Sequence, residues 1–254
     1  ATPLALFRIL FGALIFFDAS YSLISGWVYK TFVKPAITLQ LVGFYELQFL
    51  SEYIYLVYIV IALSGILVSL GYFYKPAIIC LTLLWGLVTY MHKAHFNNHY
   101  YLVILLGFLL IFVPANRVLS LDNRYRGLKE GIYCKQWHSL VFILMMSIVY
   151  VYGALAKLHS DWLNIMPLKV WFKHKEILHS FPGFHNFIFH KFIAYGGIFY
   201  DLLIVPLLLY KKTRNFAFGL SIFFHTFNLI VFHIGIFPFL ALSFTLFFYP
   251  ADYI

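Results

Sequence analysis

Residues 53–70 read YIYLVYIVIALSGILVSL, a run with no charged side chain. At 1.5 Å rise per residue, a helix of about 20 residues crosses a hydrocarbon core of ~30 Å. Backbone N–H and C=O groups find no water at that depth, so only a helix or a closed barrel satisfies them. The apolar residues here run on without alternating, which selects the helix. Comparable runs occupy Leu4–Ile24, Leu140–Ala156, Phe192–Tyr210, Phe216–Phe232 and Ile236–Tyr249. Pro76–Met91 and Tyr100–Val113 are shorter and extend into their flanks. The expected architecture is therefore all-α and integral to the membrane, a single domain over residues 1–254 with about eight transmembrane helices.

Composition agrees. Of the 254 residues, 63% are hydrophobic, 22% aromatic and only 11% charged, far from a soluble domain with about a quarter of its residues charged. The formal net charge of +9 sits in loops between the runs, where it fits a lipid surface rather than a nucleic acid. Lysine and arginine counts barely separate the two orientations. With the longer fifth loop set aside, the N-terminus and even loops are expected at the cytoplasm, and the active site towards the other side. Cys80 and Cys134 imply no disulfide framework, and no stretch has the layout of a signal peptide. Two loops look structured. Residues 26–51 are aromatic and are expected to lie against the bundle. Residues 162–181 place Leu163, Met166, Val170, Ile177, Leu178 and Phe181 on one helical face and Lys169, Lys173, Glu176 and Ser180 opposite. That pattern is expected of an interfacial amphipathic helix.

Polar residues inside apolar runs are the costly ones, and they usually face a cavity or a partner. Arg8 and Asp18 lie in the first run, Asp201 in the sixth, and His225 with Asn228 in the seventh. Arg8, near its run's start, is expected to snorkel to the interface. Asp201 reads as a structural ion-pair or hydrogen-bond partner. His92, His95 and His99 would share one face if the fourth span begins that early, and the last two form an HxxxH pair able to chelate a metal. A di-iron membrane oxygenase would use adjacent His-His doublets. The chain has none, and His174/His179 and His185/His190 are spaced onto different faces. No metal is expected. Lys157 ends the fifth run and, in a continuing helix, would face Asp161 one turn on. A lysine partly desolvated beside a cavity has a second use, as a base.

Six motifs in order carry a resemblance: Pro3–Gly12 (PLALFRILFG), Asn97–Leu102 (NNHYYL), Ala156–Trp162 (AKLHSDW), Gly196-Gly197 with Asp201, Phe224–Asn228 (FHTFN), and Ile234–Pro238 (IGIFP). Together they resemble the membrane core of the vitamin K-dependent gamma-carboxylase family, over essentially the whole chain. The resemblance implies an enzyme that couples two reactions. Vitamin K hydroquinone is deprotonated by a lysine and oxidised by O2 to the epoxide, and the strong base so generated removes a glutamyl γ-proton before CO2 adds. It assigns Lys157 as the base and His99 as a second catalytic residue. Asn98, Asn97, Asp161, Trp162, His225 and Asn228 are the expected substrate-binding residues. Implied partners are the lipid bilayer, an isoprenoid quinone and a glutamate-containing protein or peptide.

Two departures stand out. Animal members carry a tandem lysine where Ala156 precedes Lys157 here, and Pro250 is followed by Ala251-Asp252-Tyr253 instead of an acidic residue and tryptophan. The large extramembrane domain of animal members has no counterpart in this chain, so epoxidation is the firmer expectation and carboxylation the weaker. The alternative is a non-catalytic quinone- or lipid-binding membrane module of the same fold. A transporter would show paired broken helices in two halves, and none are evident.

Overall fold

The computed structural model describes residues 1–35, 43, 45–126, 134–173 and 186–250. These are helical, with no strand among them. Six helices are long and apolar enough to cross a membrane: Thr2–Ile24, Phe49–Leu70, Tyr74–Met91, Trp137–Ala156, Phe187–Leu209 and Arg214–Phe232. Two shorter apolar helices, Asn98–Phe112 and Phe237–Phe248, account for the remaining expected runs. The chain is a multi-pass integral membrane protein. We number the α-helices α1 (Thr2–Ile24), α2 (Ile54–Leu70), α3 (Tyr74–Met91), α4 (Asn98–Phe112), α5 (Leu121–Arg126), α6 (Trp137–Ala156), α7 (Ser160–Leu163) and α8 (Met166–Lys173). They are followed by α9 (Phe187–Leu209), α10 (Arg214–Phe232) and α11 (Phe237–Phe244). Pro76 falls within the first turn of α3, where a missing N–H is tolerated, so the short run Pro76–Met91 gains a flank. The long run Ile236–Tyr249 instead changes to a 3-10 turn at Thr245.

The helices fall into two compact units, Ala1–Phe142 with Phe224–Ile254, and Ile143–Phe223. In the first, α1 packs along α2, α2 on α3, and α3 on α4. Between helices in lipid, close approach depends on small residues. A Cβ on Gly12 would lie 2.6 Å from Gly65 O, and one on Gly65 would lie 2.9 Å from Gly12 O. Ser69 Oγ completes this crossing by donating to Ile9 O at 3.1 Å. Phe7 centres an aromatic cluster with Phe142, Phe244 and Phe247 at 4.9–5.2 Å between rings.

Arg8 does not snorkel; it is fully buried. Its guanidinium donates to Val68 O at 3.0 Å and to Leu119 O. These carbonyls lie at the end of α2, where Val68 O also accepts from Gly71 N at 3.1 Å, and in the loop before α5. Gly71, at φ +63°, closes α2 directly over the guanidinium, and a Cβ there would collide with Arg8 Nη1. Asp122 works at the same end. Its carboxylate accepts from Phe73 N at 3.0 Å and Tyr74 N at 2.9 Å, capping α3 from the first turn of α5. Tyr74 Oη donates to Leu110 O at 2.7 Å, and Lys75 Nζ to Ile111 O, tying α3 to the end of α4.

The expected interfacial helix is described only to Lys173, as α7 and α8. Ile177, Leu178, Phe181, Glu176 and Ser180 lie outside the described residues. Within α8 the buried residues are Leu168 and Phe172, while Met166 and Val170 remain about half exposed, with Lys169 and Lys173 outward. The expected apolar face is thus the outer one, and a second apolar pair holds the helix to the protein. In the 26–51 loop, Val28, Thr31 and Phe32 are buried as expected; residues 36–42 and 44 lie outside the description.

Gly12→Ala puts a methyl group against backbone and is expected to destabilise the protein by about 1–3 kcal/mol. Gly219→Ala meets nothing within 4 Å and is expected to stabilise α10 by up to about 1 kcal/mol. Thermal unfolding in matched nanodiscs reads both; shifts of the same sign and size would refute the close α1–α2 crossing. Asp122→Ala, which strips the α3 cap, is expected to lower stability by about 1–2 kcal/mol, whereas exposed Asp161→Ala should leave it unchanged.

Candidate functional site

Lys157 sits at a break in the chain. Helix α6 ends at Ala156, and Lys157 N and Leu158 N turn back to Ala154 O and Leu155 O at 3.0 Å. The next helix begins at Ser160, with His159 Nδ1 accepting from Trp162 N at 3.4 Å. The expected one-turn pairing of Lys157 with Asp161 therefore does not form. Asp161 is exposed, and Lys157 is ion-paired with Asp201 of α9 instead. The sequence marks Asp201 as an ion-pair or hydrogen-bond partner without naming its counterpart; the helix break supplies Lys157.

The surroundings of this pair are sparse by design of the sequence. Gly153 lies one turn before Lys157, and a Cβ there would stand 3.1 Å from Asp201 Oδ2 and 3.8 Å from Lys157 Nζ. Gly197 lies one turn before Asp201, and its Cβ would touch Lys157 Cε at 4.0 Å. Gly196 faces open space. Trp162 forms the third wall, with Lys157 Nζ 5.7 Å from its ring centroid, a cation–π distance. Its indole N–H donates to Ala194 O at 3.2 Å, fixing α7 against α9. The lysine side chain is 23% exposed and the Asp201 side chain 7%, so the amine is reachable while the carboxylate is enclosed. Beside Asp201, the Tyr200 hydroxyl is hydrogen-bonded to Tyr150 and Ser221.

The remaining expected site residues lie in the other unit. His99 stacks on Phe237 with ring centroids 4.7 Å apart at 26°. His225, fully buried, meets the same ring edge-on at 5.8 Å and 74°. Phe237 thus joins two histidines from α4 and α10, a link carried by the IGIFP motif but not singled out as a contact. Asn228 is half-buried one turn after His225, and Asn98 is exposed on the first turn of α4. Asn97 has a structural job: its side chain accepts from Tyr100 N at 2.8 Å and caps α4.

That cap also decides the histidine cluster. Asn97 is extended, at φ −139° and ψ 155°, so α4 starts at Asn98 and His95 stays in the preceding 3-10 turn. The three histidines do not share a helical face, and the HxxxH spacing is not realised on one helix. No group of three candidate metal ligands occurs among the described residues; His174, His179 and His185 lie outside them. His92 and His95 instead pack on each other, rings 4.9 Å apart, outside the spans. Burial, and then neighbouring His95, hold His92 below its ordinary 6.5; burial alone does so for His95.

A lowered histidine pKa means that the unfolded chain takes up the proton first as pH falls. The stabilising difference is complete above about 6.5 and is lost as pH drops towards the folded-state value. From about pH 7.5 to about pH 5 the thermal midpoint is expected to fall, and His92→Phe should flatten that slope. An identical slope in the variant would show that His92 is not the titrating group.

In the comparison with protein families, the model for the HTTM domain matches residues 1–253. No solved structure matches the chain significantly.

Proposed function

Because the chain belongs to the HTTM domain family, the transmembrane domain shared with vitamin K-dependent gamma-carboxylase, we propose that it is a membrane enzyme core acting on vitamin K hydroquinone. In this reading Lys157 takes the hydroquinone's hydroxyl proton, and O2-driven epoxidation is coupled to γ-carboxylation of a glutamyl residue by CO2. The observation that supports it is the Lys157–Asp201 pair, partly exposed on the lysine side and walled by Gly153, Gly197 and Trp162.

As an ion pair, Lys157 is an ammonium and has no lone pair. Moving its proton onto Asp201 gives a neutral amine beside a carboxylic acid, with no change in the pair's net charge. Water strongly favours the separated charges; an enclosed site rewards them less, which narrows the gap between the two forms. The neutral amine then accepts one proton from the hydroquinone hydroxyl. The pair passes from net neutral to one positive charge, and that charge faces the oxygen left behind. Gly153 and Gly197 matter because side chains there would fill the space beside the nitrogen. Trp162 holds the ammonium over its ring, and an aromatic wall also suits a flat naphthoquinol.

The ring system bound there supplies the reducing equivalents for O2. This chain's part is to receive and keep a proton and to limit water near the amine. The assignment of His99 and Asn98 to orienting the reacting oxygens rests on the family resemblance. So does carboxylation itself.

The test is epoxide formation by purified protein in nanodiscs with vitamin K hydroquinone and O2, with labelled CO2 incorporation into a glutamyl peptide read in parallel. Wild type is expected to form epoxide, and Lys157→Ala to lose roughly 10²-fold or more of that rate while still binding the hydroquinone. Asp201→Asn, which strands the lysine's charge, is expected to fall with it, and Asp161→Ala to keep full rate. Hydroquinone binding without epoxide in wild type would convert the reading to that of a non-catalytic quinone-binding module.

A further inference from the structure

Asp18 is a carboxylate inside α1 with no ion pair or hydrogen bond among the described residues, six residues (about 9 Å along the axis) before the helix ends at Ile24. A charge at such a depth is expensive and marks a site in search of its counter-charge. It lines a small cleft at one end of the first unit, together with Trp27, Phe32, Tyr58, Trp85 and Tyr100. Three of these rings lie towards helix termini. Tyr58 is in the second turn of α2, Trp85 in the last two turns of α3, and Tyr100 in the first turn of α4.

Several of these rings meet edge to face. Trp27 meets Phe32 at 76° and 5.8 Å, and Tyr58 at 64° and 6.4 Å. Trp85 meets Tyr100 at 83° and 5.3 Å. Perpendicular neighbours make walls, and several of their faces line one space. An ordinary interfacial belt of tryptophan and tyrosine points its rings outward to the headgroups; here Tyr58 and Trp85 are each only 4% exposed. The Trp85 indole N–H is directed to Tyr100 O at 3.3 Å, away from service to a ligand, which leaves its π surface.

Aromatic faces around one carboxylate recognise a cation that is large, weakly hydrated and without need of oxygen ligands. A metal ion is a poor fit, since Ca²⁺ or Mg²⁺ asks for about six oxygens. Apart from Asp18, Thr89, His95 and the two tyrosine hydroxyls, the lining is aromatic and apolar, which falls short of such a shell. We propose that this cleft is a binding site for a quaternary ammonium group of the choline type, with Asp18 as counter-charge and the rings of Trp27, Tyr58, Trp85 and Tyr100 as its cage. The group arrives either as a soluble trimethylammonium compound or as the headgroup of a phosphatidylcholine molecule at the membrane face. The site is independent of Lys157 and its proton chemistry.

Labelled choline binding and thermal midpoints, measured in phosphatidylglycerol nanodiscs against sodium chloride of equal ionic strength, test this directly. Choline is expected to bind saturably and raise the midpoint, and sodium to do neither. Asp18→Asn keeps the shape and removes the charge, so its affinity for choline should fall roughly tenfold or more, while its midpoint without choline equals or exceeds that of wild type. Trp27→Leu, which removes one wall, should weaken binding roughly threefold or more with Asp18 intact. Phosphatidylcholine discs separate the two sources. If the headgroup is the occupant, they raise the wild-type midpoint and abolish the increment from free choline; if a soluble compound is, choline acts equally in both lipids. Choline indistinguishable from sodium on wild type, or bound equally well by wild type and both variants, would overturn the proposal.

Discussion

A charge placed within apolar helices has to be answered by the protein, and Asp201 shows what that demand organises. Its counter-charge comes from a lysine that a continuing helix would have pointed elsewhere. The break after Ala156 releases Lys157 to reach α9, and the glycines one turn before each partner clear the way. Trp162 then fixes the short helix that follows through its hydrogen bond to Ala194 O. Break, glycines and tryptophan form one solution to one electrostatic problem. The same arrangement leaves a partly exposed amine beside an enclosed carboxylate.

The first unit treats its two ends differently. At one end, Arg8, Asp122, Tyr74 and Lys75 all spend their polar atoms on backbone groups at helix termini. These contacts replace the water that such groups would find in a soluble protein. Gly71 is needed there twice over, for its positive φ and for the space that the guanidinium fills. At the other end, Asp18 has no such employment and is surrounded by rings. An end whose polar side chains are tied to neighbouring backbone is suited to holding helices together. An end with a carboxylate left over is suited to receiving something.

Most of the architecture was legible because bilayer thickness sets the length of an apolar run, and eight runs are visible without any knowledge of packing. Element boundaries were less so. The extended Asn97 that starts α4 late looks like any other asparagine, and with it went the shared face of the three histidines. Arg8 was misread because a sequence places an arginine near the start of a run but not beneath the end of another helix. Lys157 stood out in the sequence, but its pairing was misplaced. Its neighbour in sequence was visible four residues on, whereas its partner in space lies forty-four residues away and depends on a helix break that no glycine or proline announces. Asp122 had no signal at all, since capping α3 from a different helix, remote in sequence, leaves no local pattern. The inner pair of α8, Leu168 and Phe172, was hidden by a better-populated outer face.

The single lysine bears on how far the family's chemistry can extend to this chain. Animal members carry two adjacent lysines, and Ala156 stands here where the first would be. Successive residues on a helix point about 100° apart. Ala156 is the last residue of α6 and is exposed, while Lys157 turns inward to Asp201. A lysine at 156 would therefore project from the outer surface, away from the carboxylate and the two glycines. The tandem is not needed to build the pair, because only one of the two positions is aimed at Asp201. What the geometry requires is a lysine at the break, a carboxylate on the facing helix and no side chain at 153 or 197, and this sequence keeps all three.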